Sequence, residues 1–387
     1  MPHSGYSSRM YTNDSTSQVA LQSFGLQGMM MRYSLFVPRL YNLCLSLGFT
    51  AGKIMPSRAF CSDESQGFPT ILIGKHFGAF PFNHGRVGGV VAINRHAPHA
   101  QHGKDLLLIQ ASHVGYDPET EEFGAYRRFQ TEGEHKSTSC GKIMATLVWY
   151  EKELDLARNN IFLQTEGGVH YLVIDNELMH DDREEGLLLH LEQMIGGRAE
   201  PERSYSTSRR YVASQSFREL IGDDAWCSGE RITIGDKLAP ELFSFRRTIQ
   251  QDMEGQSFLE NNLISAMPWI LCSQQPALTA AKVNTQMEFD RAYRSILREP
   301  DYRRKNLFFI SGIHIDISPQ KGQVFPLTKF IPWAAYHQTE AGESMLYEQR
   351  ELNDLLRAQS AENPNQIDME EAIKSMEDEK EVVIEAC

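Results

Sequence analysis

The chain has 387 residues, with 38 Lys and Arg against 51 Asp and Glu, a formal net charge of −13 and 41% hydrophobic residues. That length and apolar fraction allow a sizeable buried core, in one large domain or in two or three smaller ones. The acidic balance argues against a nucleic-acid or anionic-membrane binder, and no apolar run approaches the ~20 residues that a spanning helix needs.

Residues 1–16 are rich in Ser, Thr and Asn and read as a loose N-terminus without a signal peptide, so a cytoplasmic location is expected. Residues 17–50 carry Val19, Leu21, Phe24, Leu26, Leu35, Tyr41 and Leu45 at roughly helical spacing and predict a helical N-terminal layer. From about residue 50, short apolar runs at 53–60, 70–73, 87–93 and 106–111 alternate with Gly-rich and polar stretches and read as strands of a buried sheet. A helix is expected from 140 to about 158, with Ile143, Leu147, Tyr150 and Leu154 on one face, and a strand at 171–174. Residues 196–210 read as a loop and 211–300 as mainly helical, so a helical insertion is placed at about 181–300. Residues 306–317 and 324–331 predict a strand pair around the turn Ser318-Pro319-Gln320-Lys321-Gly322. Beyond Trp333 the chain is charged, and 338–387 is read as an acidic helical tail. Alternating strands and helices over 51–337 predict an α/β domain, a mainly parallel sheet flanked by helices, with reactive groups where strands end.

Three segments carry candidate chemistry. Cys61-Ser62-Asp63-Glu64 follows a predicted strand, His113-Val114-Gly115 stands at the mouth of another, and Ser139-Cys140-Gly141 runs into a helix. Two thiolates and an imidazole form a Cys2His set that suits zinc and leaves a fourth position open. Cys140 at a helix start would have its thiolate favoured by the helix dipole. The spacings are far longer than those of a zinc ribbon or finger, and each residue alone is more often a packed core residue. The six cysteines are too scattered for a disulfide scaffold. His76, His84, His96, His99 and His102 are assigned no role, a His-rich surface loop explaining them as well as a shuttle or a second metal site. His170 and His180 are read as structural. Residues 85–89 lack a phosphate-loop pattern.

Cys61-Ser62-Asp63 and Thr138-Ser139-Cys140-Gly141-Lys142 resemble the two thiolate segments of β-class carbonic anhydrases, and residues 313–327 resemble the closing strand and hairpin of that fold. Two positions depart from that class: Ser137 stands where it places its His, and Ser65 where it places an Arg. Both departures, with Cys61 to Glu64, Gly78 to Phe82, His113 to Gly115 and Ser137 to Gly141, resemble the limiting-carbon-dioxide-inducible protein B family, grouped with theta-type carbonic anhydrases. The resemblance covers residues 51–180 well and 305–335 loosely. It implies Zn2+ held by Cys61, His113 and Cys140, with hydroxide at the metal as the nucleophile that converts carbon dioxide to bicarbonate and Asp63 orienting it. It also implies an Arg that holds Asp63 off the metal. Arg127 and Arg128 are the first candidates and Arg86 the next. A homodimer or higher oligomer is expected. Two other readings stay open: the same centre acting on carbon disulfide or carbonyl sulfide, and a non-catalytic zinc-stabilised assembly or regulatory protein in inorganic-carbon handling.

Overall fold

The computed structural model describes residues 28–127, 136–178, 184–196, 207–252, 255–319, 322–323 and 325–377. The expected loose N-terminus, the first part of the helical layer, His180 and Arg128 lie outside the described residues. Two compact units divide the chain. Of the described residues, one gathers 28–121, 125–127, 136–139 and 288–377, and the other those of 122–124 and 140–287.

The first unit is built on an eight-stranded sheet. Its core strands are β1 (Ile54–Ala59), β2 (Phe82–Asn83), β3 (Asp105–Asp117), β4 (Asn306–Ile317) and β5 (Leu327–Gln338). They lie in the order β5-β4-β3-β1-β2, with β4, β3, β1 and β2 parallel and β5 antiparallel to β4. The runs Leu106-Leu107-Leu108-Ile109 and Leu307-Phe308-Phe309-Ile310 are fully buried, so β3 and β4 are covered on both faces. A continuous apolar run is what a central parallel strand requires, whereas a half-exposed strand would alternate. The expected strand pair is present as antiparallel β4 and β5, with the second strand at Leu327–Gln338 and not 324–331; Gln320 and Lys321 of the expected turn lie outside the described residues.

Helix α1 (Tyr33–Ser46) buries Tyr33, Phe36, Val37, Leu40, Tyr41, Leu43 and Cys44, spacing that lays one apolar face on the sheet. Phe36 stacks on Phe330 of β5 with ring centroids 4.0 Å apart. Each large apolar side chain so buried contributes on the order of 1.5–3 kcal/mol.

Two expected strands are corrected. Residues 70–73 lie inside helix α2 (Gly67–Phe77), where Ile73 is buried and Ile71 exposed. A short apolar run does not separate helix from strand, and the parallel β1 and β2 need a helical crossover between them. Helix α2 stops at Gly78, whose left-handed φ of 75° lets its N–H bond Gly74 O. Residues 87–93 form no strand: Val87–Gly89 is a 3-10 turn with Gly88 and Gly89 at φ 68° and 80°, Val91 makes an isolated bridge to Gly85, and Ile93 begins a second 3-10 turn. The tail reading also changes. Residues 344–347 pair with β5, and a further helix, Gln349–Ala358, buries Leu352, Asn353 and Leu356. Helix Met369–Glu377 beyond it buries no residue, as a solvated tail would.

The second unit contains helix Gly141–Asn160, which buries Ile143, Leu147, Tyr150 and Leu154 as its spacing predicts. A four-stranded antiparallel sheet joins Ser208–Val212, Val169–Asp175, Ile161–Glu166 and Ile232–Thr233 in that order. The span expected to be a helical insertion therefore mixes strands with helices. Strongly polar strand sequences such as Ser208-Arg209-Arg210 hide the alternation that marks a sheet.

The histidines of residues 76–102 are mostly interior, not on a surface loop. His84, His96 and His99 are buried together, with ring centroids 5.0 and 5.2 Å from His84 to the other two. His96 Nδ1 and His99 Nδ1 lie 3.0 and 3.2 Å from Tyr302 Oη, and His99 Nε2 bonds Met55 O. Both His84 nitrogens and His96 Nε2 are buried without a partner among the described residues. Burial pushes His84 down to about 2 and His96 and His99 to about 4, helped by the neighbouring imidazoles and by Arg95, Arg291 and Lys305. These folded-state values lie below the unfolded value, so the unfolded chain binds more protons once pH falls below ~6.5. Stability is expected to decline from about pH 6.5 toward about pH 4, by about 1.4 kcal/mol per pH unit for each histidine. Urea unfolding across that range checks this. His84→Phe is expected to flatten the slope, and an unchanged slope would contradict it.

Candidate metal centre

Cys61, His113 and Cys140 are brought together. Their ligand atoms all lie within 4.8 Å of one another, and all three residues are buried.

Cys61 follows the C-terminal end of β1, where Phe60 ends the sheet edge. Its sulfur accepts the Gly88 N–H at 3.2 Å. The Gly-rich segment expected to hold a strand instead folds over the ends of β1 and β3, and its glycines are there for close approach. A Cβ at Gly85 would lie 1.9 Å from Phe60 O, and one at Gly89 2.1 Å from Ala111 O. An amide N–H aimed at a thiolate disperses the charge on sulfur without competing for a cation.

His113 stands in β3 in register with His314 of β4. Its Nδ1 lies 2.8 Å from Asp316 Oδ2, both side chains being fully buried. A carboxylate accepts, so Nδ1 carries the proton, which assigns Nε2 as the nitrogen for a metal. Asp316 Oδ2 also accepts from Ser65 Oγ at 2.8 Å and Gln66 Nε2 at 2.9 Å, and Oδ1 from Thr328 Oγ1 at 3.2 Å. Burial pushes the Asp316 carboxyl upward, but the hydrogen bond and charge of His113 hold it below its ordinary value. His314, two residues before it, is bonded through Nδ1 to Gln66 Oε1 at 2.6 Å, and burial lowers its pKa to about 3.

Cys140 is the N-cap of the helix Gly141–Asn160 and follows Ser139 directly in the chain. The chain before it crosses close over β3, where Gly115 N–H donates to Ser139 O at 2.5 Å. A Cβ at Gly115 would lie 2.7 Å from Ala125 O and 3.1 Å from Ser139 Cβ. The glycine of His113-Val114-Gly115 is therefore what lets the second Cys segment approach the strand that carries the histidine. Ser139 Oγ lies 3.2 Å from His113 Nδ1 and 3.4 Å from Asp316 Oδ2.

Two buried thiols and an imidazole backed by a carboxylate are the donor set of a borderline cation, and the centre fits a metal ion.

Asp63 caps the 3-10 turn Glu64–Gln66, its Oδ1 accepting Ser65 N–H at 3.2 Å. It is half-buried. Burial raises its pKa, and the nearby His113 works against the rise. Ser65, which stands where an Arg was sought, turns its hydroxyl to Asp316. The Arg127 guanidinium is held by Glu119 at 2.5 Å and Asp117 at 3.4 Å. Arg86 lies in the glycine segment, two residues before Gly88, with its backbone N–H on Val90 O. His170 is bonded to Thr165 in the second unit.

Sequence reasoning did not single out Asp316, which bonds His113, nor Ser65, Gln66 and Ser139 around it. The signal was present: in Ile313-His314-Ile315-Asp316-Ile317 two titratable groups alternate with branched apolar residues on a strand buried on both faces. A charged group there is seldom left without a task.

No protein-family model and no curated protein matches the chain. Among solved structures it is similar to the crystal structure of PtLCIB4, a homolog of the limiting CO2-inducible protein LCIB. The identity is 12% and the TM-score 0.50, over 82% of this chain and 95% of that one. A histidine-to-alanine mutant of the same protein gives 12% identity and a TM-score of 0.50, over 82% and 93%. The chain thus has the mixed α/β fold of that LCIB homologue, a mainly parallel central sheet flanked by helices.

Proposed function

We propose that the chain is a zinc-dependent carbonic anhydrase, interconverting carbon dioxide and bicarbonate. The observation that carries this reading is the convergence of Cys61, His113 and Cys140 within 4.8 Å, with a buried carboxylate behind the imidazole. A fold shared with a homologue of a limiting CO2-inducible protein supports the substrate class.

Cys61, His113 and Cys140 would hold Zn2+, which when bound lowers the pKa of water toward ~7 and makes hydroxide available at neutral pH. Two thiolates donate more charge than imidazoles, so groups that drain charge from them matter. Gly88 N–H does this at Cys61, and the helix N-terminus does it at Cys140. Asp316 holds His113 in one tautomer and one orientation. Asp63 would accept a hydrogen bond from the attacking water-derived group and so aim its lone pair at carbon. The Ser65 N–H on Oδ1 fixes the angle at which it does so. Arg86, on the segment whose glycine meets Cys61, is the proposed partner that keeps Asp63 away from the metal. Arg127 has its guanidinium on Asp117 and Glu119.

A second reading has one observation in its favour. The Ser65 side chain serves Asp316, and what that residue gives Asp63 is a backbone N–H, not a charged partner. In that reading Asp63 rests on the metal, and the centre stabilises the protein without turning over.

Purified protein is expected to carry one zinc per chain by mass spectrometry of the metal, and Cys140→Ser to lose it. Stopped-flow hydration with a pH indicator on the same batch is expected to show activity above buffer. Asp63→Ala is expected to keep zinc and lose about 100-fold or more of that rate. Zinc-loaded protein with no hydration from about pH 6 to about pH 9 would contradict the enzyme reading, because a proton step matched to water of pKa ~7 falls in that range. Asp316→Asn is expected to weaken metal binding by about 10- to 100-fold in a chelator competition, because the histidine loses its charged partner. Unchanged affinity would remove Asp316 from the account.

A further inference from the structure

The segment that carries Gly88 is gripped from behind by an ion pair whose carboxylate is buried. Helix Pro276–Arg298 crosses the first unit with its last turns, and Glu288 there is fully buried. Glu288 Oε2 accepts Val91 N–H at 2.6 Å, and Arg291 Nη2 donates to Val91 O at 2.6 Å. The two side chains are also joined to each other, Arg291 Nε donating to Glu288 Oε1 at 3.0 Å and Nη2 to Oε2. Both backbone groups of Val91 are thus satisfied as a neighbouring strand would satisfy them, but by side chains.

Val91 is the closing residue of a small loop. It bridges Gly85, Arg86 N–H bonds Val90 O, and Ala92 N–H bonds His84 O at 2.6 Å. At the tip of that loop Gly88 gives its N–H to Cys61 Sγ. From the other side, Gln110 Nε2 donates to Gly89 O at 3.1 Å, and Ser311 fixes Gln110 through its Oε1. These side chains place the loop where a paired strand would otherwise do so.

We propose that Glu288 and Arg291 are positioning residues that set the donor strength of Cys61 by fixing the Gly88 amide on its sulfur. This rests on the metal reading of the Cys61–His113–Cys140 centre. It goes beyond that reading by assigning the tuning of one ligand to a charged pair on a distant helix. An N–H on a thiolate lowers the energy of the sulfur lone pair and reduces the charge passed to a metal. Without the grip, the loop drifts, the N–H leaves the sulfur and Cys61 becomes a stronger donor. A water at the metal would then be less acidic. A pair that only stabilised the fold would lower the unfolding midpoint and leave the ligand unchanged.

The test is the sulfur-to-cobalt charge-transfer band of the Co2+-substituted full chain, which reads the thiolate whether or not the protein is active. Glu288→Ala is expected to move this band to longer wavelength and to move the acid limb of the hydration profile to higher pH. Glu288→Gln keeps an acceptor for Val91 N–H and is expected to show a smaller shift of the same sign. A band unmoved in folded, cobalt-loaded Glu288→Ala overturns the proposal. If that variant does not fold, an unmoved band in Glu288→Gln overturns it instead. Wild-type protein that binds cobalt without any thiolate band overturns the metal reading together with this inference. A band that shifts in protein without hydration activity supports the inference and counts against the enzyme reading alone.

Discussion

A carboxylate with no access to water must be surrounded by donors, and Asp316 meets that demand by collecting them from four places in the chain. His113 comes from β3, Ser65 and Gln66 from the turn after β1, and Thr328 from β5, with Ser139 at the edge of the set. Removing one donor from such a centre leaves a buried charge short of partners, which costs far more than an ordinary hydrogen bond returns. The arrangement therefore specifies the relative placement of β1, β3 and β4 at their functional ends. The same bonds that satisfy the charge orient the imidazole between the two cysteines.

Around that charge the backbone approaches unusually closely, and three glycines make it possible. Gly85 and Gly89 let one loop fold over the ends of β1 and β3, and Gly115 lets another cross β3 so that Cys140 follows at a helix start. The Gly88 N–H then points at Cys61 Sγ, and Cys140 stands at the N-cap of a helix. Chemistry and fold share these contacts. A side chain at any of the three positions would displace a ligand-bearing segment as well as create a clash.

Cys61, His113 and Cys140, which the structure brings together, were singled out mainly by the resemblance of their segments to a known family, with weaker local signals beside them: a strand end before Cys61, Gly two residues after His113, and a long helix after Cys140. The central strands 105–117 and 306–317 were legible because full burial leaves unbroken apolar runs. What was not legible depended on partners distant in sequence. Ser65 looked like a missing arginine; the carboxylate that its hydroxyl serves lies on a strand about 250 residues further on. The runs at 70–73 and 87–93 looked extended because four to seven apolar residues carry too little periodicity, and only the crossover geometry and the left-handed glycines settle them. The histidines of residues 84–99 were left without a role because polarity alone does not reveal a tyrosine at position 302 that gathers two of them.

The central claim is that one metal is held by two sulfurs and one histidine nitrogen in the isolated protein. X-ray absorption at the zinc edge on the purified, metal-assayed 387-residue chain tests it most directly. The account predicts a first shell of two sulfurs at ~2.3 Å and light atoms at ~2.0–2.1 Å, including an imidazole. A shell of nitrogen and oxygen alone, or a protein that takes up no zinc after metal-free refolding and repletion, would contradict it.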